Sequence, residues 1–112
     1  MTFADTTFLI DLQRSQRNPH YQSALSWLDA NPQAEVMISA IVWGEFIEGM
    51  GDLESLIVAK FRREFELVPI SRKIAENFGQ LNRVLKRTGR PIGNNDTWIA
   101  ATALAHEAPL LT

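Results

Sequence analysis

Three acidic residues, Asp5, Glu45 and Asp96, stand beside apolar segments with no lysine or arginine near them in the sequence. Glu45 lies within the mostly apolar residues 41–47, and apolar runs begin shortly after Asp5 and Asp96. Burying a carboxylate without a cation or hydrogen-bond donors is costly. A shared divalent metal would satisfy all three side chains at once, and carboxylate oxygens are ligands that Mg²⁺ prefers.

Each acid also has a purely structural explanation. Asp5 can cap the first helix, and Asp96 stands in the first turn of a predicted helix, where the helix dipole favours negative charge. Glu45 can lie on the exposed face of an amphipathic helix, like Glu48 one turn later. For any one acid alone the structural explanation is the stronger, so the metal site is predicted from the three together.

The elements that must position these acids are short apolar strands alternating with helices, a pattern typical of a parallel sheet covered on both faces. Strands are predicted at Thr2–Ala4, Val36–Ile38, Leu67–Val68 and Pro109–Thr112. Helices are predicted from Thr7 through Leu12, from Pro19 to about Asn31, from about Ala40 to Met50, from Leu53 to Phe65, after a Ser71 cap, and from an Asn94 or Asn95 cap through Leu104. Ligands in such folds collect at the carboxyl ends of the strands, where this topology can bring the three acids together.

Composition limits the alternatives. The 112 residues, 46% hydrophobic and 21% charged, suit one globular domain over 1–112. The absence of cysteine excludes disulfides and thiolate metal sites, and two histidines argue against a histidine-rich zinc site. No signal peptide pattern opens the chain, and no apolar run reaches the roughly 18–20 residues that cross a bilayer. We therefore expect a cytoplasmic protein without a membrane segment.

Charge is unevenly distributed along the chain. Residues 1–50 hold two basic and six acidic side chains, whereas residues 60–90 hold nine basic and three acidic ones. Arg83, Arg87 and Arg90 step by four and three residues, which predicts one shared helix face. Such asymmetry can mark a cationic surface that receives a polyanion. Exposed helix surfaces are charged in any case, and from this feature alone that explanation is favoured.

Three segments resemble, in order, the motifs of the PIN-domain family. Residues 5–12 resemble the opening motif, in which an aspartate precedes small polar residues and an apolar turn. Residues 39–49 are similar to the second motif, with Glu45 as its glutamate, and residues 95–103 to the third, with Asp96 before an Ala-rich helix. Within the family, the compact size and the Ile-Ala-Ala-Thr-Ala helix resemble the VapC toxins of bacterial toxin–antitoxin pairs.

The resemblance implies an α/β/α sandwich around a short parallel sheet. It implies an endoribonuclease toxin, dependent on Mg²⁺ or Mn²⁺, that cleaves tRNA, rRNA or mRNA, inhibits translation and is neutralised by a VapB-type antitoxin. Asp5, Glu45 and Asp96 would be its metal-binding and catalytic residues. Candidate substrate contacts are Thr7, Arg83, Arg87 and Arg90, although a helix-start hydrogen bond explains Thr7 equally well. A homodimer is expected.

One departure from the family's pattern concerns the C-terminus. The pattern places a fourth acid or an asparagine after the Leu-Thr strand end, followed by a helix and a strand, whereas the sequence stops at Thr112. We therefore expect a domain that is incomplete at its C-terminus, lacks its last strand, self-associates or needs a partner, and is at best weakly active.

Three other classes of protein are alternatives to a ribonuclease. The main alternative is a catalytically impaired PIN scaffold that acts only as a protein- or RNA-binding module. A phosphatase with an aspartyl nucleophile would have Asp-x-Asp where this chain has Asp5-x-Thr7. A phospho-acceptor receiver domain would need an acid after the third strand and a late lysine, and the chain offers neither.

Overall fold

The computed structural model describes residues 1–14 and 18–111. Arg17, part of the charge count, and Thr112, the end of the predicted last strand, lie outside these ranges. Strands and helices follow one another as β1 (Thr2–Ala4), α1 (Thr6–Gln13), α2 (Pro19–Ala30), β2 (Val36–Ser39), α3 (Ala40–Met50), α4 (Leu56–Glu64), β3 (Glu66–Val68), α5 (Arg72–Arg87), α6 (Asn94–Ala105) and β4 (Leu110–Leu111).

The four strands form one parallel sheet in the order β3-β2-β1-β4. Phe3 of β1 pairs with Met37 of β2 on one side and with Leu110 of β4 on the other. Because all strands run the same way, their carboxyl ends lie along one edge of the sheet. The prediction of an α/β fold with a short parallel sheet is confirmed.

Helices cover both faces of this sheet. Successive strand residues point to opposite faces, so Phe3 and Met37 pack with Ala103 of α6, whereas Ala4 and Ile38 join the larger core. Members of that larger core come from several helices and include Phe8, Leu9, Val42, Phe46, Val58 and Phe61. The sheet is therefore the middle layer of three, as the resemblance implied.

Local sequence signals set most helix ends as predicted. The side chain of Asn18 caps α2 with Pro19 in its first turn, and Ser39 and Ser71 cap α3 and α5. Gly51 ends α3 in the left-handed region at φ 73°, a conformation that favours glycine.

Helix α4 begins later than predicted. It was predicted to begin at Leu53, whereas it begins at Leu56. Ser55 caps it, and the Ser55 hydroxyl accepts from the Val58 backbone N–H at 3.3 Å. The side chain of Asp52 accepts from the backbone N–H of Glu54 at 2.9 Å. This local bond holds the preceding residues in a turn and delays the helix.

The three tryptophans each pack against another aromatic ring. Trp98 of α6 stacks on Phe78 of α5, with ring centroids 3.9 Å apart and planes inclined by 6°. Trp27 meets Phe8 edge-on at 6.2 Å, and Trp43 lies 5.7 Å from the ring of Phe46.

None of the helices in residues 1–14 and 18–111 is long enough and apolar enough to cross a bilayer.

Candidate active site at the carboxyl edge of the sheet

Asp5 stands directly after β1, where the chain turns from the sheet into α1. Its carboxylate caps that helix by accepting the backbone N–H of Phe8 at 3.2 Å, and the backbone N–H of Thr7 also contacts it. The side chain is half-buried. The capping explanation is therefore correct, and it also fixes the carboxylate at the carboxyl edge of the sheet.

Glu45 reaches the same edge from α3, the helix that follows β2. Its Oε1 accepts a hydrogen bond from the Thr6 hydroxyl at 2.7 Å, and its Oε2 accepts one from Asn95 Nδ2 at 3.4 Å. The residue is half-buried, so the alternative of an exposed surface glutamate is wrong. Both carboxylate oxygens face residues of the other two motifs because hydroxyl and amide donors hold them there.

Asp96 stands in the first turn of α6 and is exposed. The predicted cap was wrong here, because Gly93 precedes the first turn and no side chain caps it. Asn94 and Asn95 lie inside the helix, and the side chain of Asn95 turns to Glu45 instead. The carboxylate of Asp96 makes no hydrogen bond within the described ranges, which leaves its oxygens available to a ligand.

The three acids influence one another electrostatically. Burial raises the pKa of Asp5 above its ordinary value of 3.8, and repulsion from Asp96 and Glu45 raises this pKa further. The backbone N–H groups of Phe8 and Thr7 act in the opposite direction. Across residues 1–14 and 18–111, the ion pairs are Arg14–Asp11 and Lys60–Glu64. The three carboxylates therefore share one region without a cationic side chain to offset their charge.

The donor chemistry of this region fits a hard divalent cation. The described side chains do not already enclose an ion, since no three His, Asp or Glu residues among them are close enough to do so. All three candidate ligands are carboxylates, however, and Mg²⁺ binds through one or two carboxylates while keeping several waters. A bound cation would offset the repulsion that Asp96 and Glu45 exert on Asp5.

The predicted substrate contacts lie on α1, on α5 and in the connection that follows α5. Thr7 is exposed on the first turn of α1, and its role stays a prediction. Arg83 and Arg87 are exposed on α5. Arg90 does not share their helix, because α5 ends at Arg87 and Thr88 caps it, so the predicted three-residue face was wrong. The backbone N–H of Arg90 instead bonds to the Leu85 carbonyl at 2.8 Å, in the connection that leads to α6.

Thr6 and Asn95 are the residues that sequence reasoning missed. The resemblance assigned the small polar position of the first motif to Thr7, whereas the hydroxyl that contacts an acid belongs to Thr6. Asn95 was interpreted only as a helix cap. Their position in the sequence could have indicated this role, because Thr6 directly follows Asp5 and Asn95 directly precedes Asp96.

Comparison with known proteins gives the same fold and family. Residues 2–112 match the family described as PIN domain. Ribonuclease VapC1 of Haemophilus influenzae (strain R2866) is 30% identical over 86 residues, which cover 72% of this chain and 64% of that protein. The aligned segment therefore spans less than two thirds of the relative's length.

Solved structures agree over nearly the whole chain. The structure of VapBC2 from Rickettsia felis, bound to a DNA fragment from its promoter, matches 99% of this chain and 86% of the other with 27% identity and a TM-score of 0.82. VapBC-1 from nontypeable Haemophilus influenzae matches 99% of this chain and 84% of the other with 30% identity and a TM-score of 0.77. The chain belongs to the PIN-domain family, and the relatives that it matches are of the VapC type.

Proposed function

We propose that this chain is a VapC-type endoribonuclease that uses a divalent cation to cleave RNA. The observation that carries the proposal is that Glu45 hydrogen-bonds to Thr6 and Asn95, the chain neighbours of Asp5 and Asp96, which links the three acids at one edge of the sheet. None of the three acids forms an ion pair with a cationic side chain of the described residues. These acids come from three separate elements, and a purely structural role for each would not require them to meet. The match to Ribonuclease VapC1 supports RNA as the substrate class.

Asp5, Glu45 and Asp96 would hold Mg²⁺, or Mn²⁺ in its place. The cation, when bound, supplies charge that polarises a phosphoryl oxygen and lowers the pKa of water. The backbone N–H groups at the start of α1 keep the carboxylate of Asp5 at the strand end. Asp96 is exposed at the mouth of the site, where it is accessible to both the ion and the substrate.

Substrate binding would use exposed cationic side chains and the small polar side chain of Thr7. Arg83 and Arg87 are exposed, and neither takes part in an ion pair within the described residues. Arg90 follows in the connection that leads to the helix of Asp96. Thr7 offers a hydroxyl beside Asp5 for a phosphate oxygen. Contacts of this kind to phosphates position a nucleic acid without reading its sequence.

The proposed biological role is based on the VapBC assemblies that contain similar structures. Solved structures similar to this chain include VapBC assemblies from Rickettsia felis and Haemophilus influenzae. A VapB-type antitoxin is therefore the proposed partner, and cleavage of tRNA, rRNA or mRNA in the cytoplasm would inhibit translation. A homodimer stays a prediction.

An RNA cleavage assay tests this function. The protein should cut small structured RNAs at a low rate in Mg²⁺ or Mn²⁺, and EDTA should abolish the cleavage. Asp5→Asn and Asp96→Asn should each remove it, whereas Asp52→Asn should not, because Asp52 is an exposed aspartate that holds a turn elsewhere. Specific RNA binding without cleavage under any metal condition would favour the scaffold alternative, and cleavage by both site variants would refute the assignment.

A further inference from the structure

Glu45 is the only one of the three acids whose two carboxylate oxygens are both engaged by side chains, within the described residues. The Thr6 hydroxyl donates to Oε1 at 2.7 Å, a distance within the usual range for a hydroxyl donor and a carboxylate acceptor. Asn95 donates its amide to Oε2 at the longer distance of 3.4 Å. Thr6 therefore makes the stronger contact, and Asn95 limits rotation of the carboxylate from the opposite oxygen.

The two donors have a particular relationship to the other acids. Thr6 directly follows Asp5 in the chain, and Asn95 directly precedes Asp96. The bonds span 39 and 50 residues of sequence, so they join elements that are otherwise far apart along the chain. Helices α1, α3 and α6, which bring one acid each to the site, are thus linked through the carboxylate of Glu45.

Glu45 needs such restraint more than the aspartates do. Its side chain has one more rotatable bond, and repulsion from Asp5 favours conformations that point away from that carboxylate. A carboxylate offers about four lone-pair sites, so two hydrogen bonds leave room for a metal or for its water. The same donors that hold the side chain therefore do not prevent it from acting as a ligand.

We propose that Thr6 and Asn95 are positioning residues that hold the Glu45 carboxylate towards Asp5 and Asp96 and so pre-assemble the site for a divalent cation. This inference rests on the proposed function but assigns a role that the acids alone do not specify. Neither residue need touch the ion. Each acts through Glu45, as hydrogen-bonding partners of metal ligands generally do.

Manganese binding by the purified chain tests the role of Thr6 without relying on activity. Free Mn²⁺ is followed by its electron paramagnetic resonance signal during titration. Thr6→Val keeps the shape of the side chain but removes the hydroxyl, and it should weaken Mn²⁺ binding by roughly tenfold, the lower end for removal of such a partner. Thr6→Ser restores the hydroxyl and should return affinity to within about twofold of the wild type.

Matched variants separate positioning from general damage. Thr102→Val also removes a half-buried hydroxyl bond, to the Trp98 carbonyl at 2.9 Å within α6, and should leave Mn²⁺ affinity unchanged. Asn95 is exposed, so Asn95→Ala tests the second contact even where Thr6→Val fails to fold. It should weaken binding by a smaller factor than Thr6→Val, whereas Asn94→Ala in the same turn should not weaken it.

The outcomes distinguish this inference from the proposed function. Wild-type Mn²⁺ binding that survives both Thr6→Val and Asn95→Ala would overturn the positioning role while leaving the metal site intact. A fall in affinity in Thr6→Ser equal to that in Thr6→Val would also overturn it, because the hydroxyl would then be irrelevant. Failure of the wild-type chain to bind Mn²⁺ would instead contradict the proposed function itself.

Discussion

The backbone N–H of Asp5 donates a hydrogen bond to the carbonyl of Leu111 at 2.9 Å. This bond continues the pairing of β1 with β4 to the last described residue of β4. Asp5 is thus fixed on both sides, by the neighbouring strand through its backbone and by the start of α1 through its carboxylate. Its carboxylate is therefore held near Glu45 and Asp96, which both raise its pKa.

Replacing Asp5 by asparagine should stabilise the metal-free protein at neutral pH. Because the folded-state pKa of Asp5 is raised above 3.8, the folded state binds more protons than the unfolded state as pH rises through that interval. The free energy of unfolding therefore falls as pH rises from about 3.8 to the raised pKa, and it stays low at any pH above that pKa. Asparagine caps a helix about as well as aspartate and carries no charge. Thermal unfolding in EDTA from pH 4 to 8 should show Asp5→Asn gaining over the wild type as pH rises.

Asp52→Asn is the control for that pH series. Asp52 also accepts a backbone N–H but is exposed and lies in the turn before α4. Its substitution should not produce a stability gain that grows with pH. A constant difference between Asp5→Asn and the wild type across the series would show that folding does not raise the pKa of Asp5.

Removing the two exposed arginines of α5 should weaken RNA binding. Arg83→Ala with Arg87→Ala, made in the inactive Asp5→Asn background, should lower affinity and flatten its dependence on salt. The slope of log affinity against log salt should fall by roughly 0.7 for each single-strand phosphate that an arginine no longer neutralises. Arg62→Ala with Arg63→Ala removes the same charge from α4 and is the matched control. Equal effects of the two pairs would indicate that only net charge matters.

The stacked rings of Phe78 and Trp98 should contribute strongly to the attachment of α5. Phe78→Ala should lower the free energy of unfolding by about 2–3 kcal/mol, somewhat below the range for a fully buried phenylalanine. Val84→Ala on the same helix should change it by less than about 0.5 kcal/mol, because Val84 is 51% exposed. Denaturant unfolding measures both values. If Phe78→Ala lowered the free energy of unfolding by less than about 1 kcal/mol, the result would contradict the importance of the stack.

Self-association should depend on the edge of the sheet at β4. Within the described residues β4 pairs only with β1, and Leu110 on this strand is 38% exposed. Open strand edges favour pairing with another chain, and a lysine there opposes it. Light scattering over a range of concentrations should show association of the wild type and its absence in Leu110→Lys. Leu56→Lys, at a more exposed leucine on α4, should keep the wild-type behaviour.

The sequence was sufficient to predict the sheet, and the place of each of the three acids near a strand or helix end, because these signals are local; their role as a site stays a prediction. Alternating apolar strands and helices specify a parallel sheet, and serine caps such as Ser39 and Ser71 mark where helices begin. The meeting of Asp5, Glu45 and Asp96 then follows from topology. No local rule was needed beyond the position of each acid relative to a strand end.

The roles of Thr6 and Asn95 could not be predicted in the same way. Each contact joins two helices, and which of two adjacent polar residues faces Glu45 depends on the rotation of the helix about its axis. Thr6 and Thr7 are equivalent in the sequence pattern, yet only Thr6 faces Glu45. Arg90 illustrates the opposite error, since its spacing fitted the helix whereas the chain had already left it after Arg87.

Calorimetric titration of Mn²⁺ into the wild-type chain and into Glu45→Gln tests most directly whether the three acids act as one cation site. We predict a single saturable site in the wild type and no detectable binding in Glu45→Gln, because the neutral amide removes one of the ligands. Glu48→Gln, one turn further along α3 and exposed, should bind like the wild type. No saturable binding to the wild type, or unchanged binding to Glu45→Gln, would contradict the shared metal site.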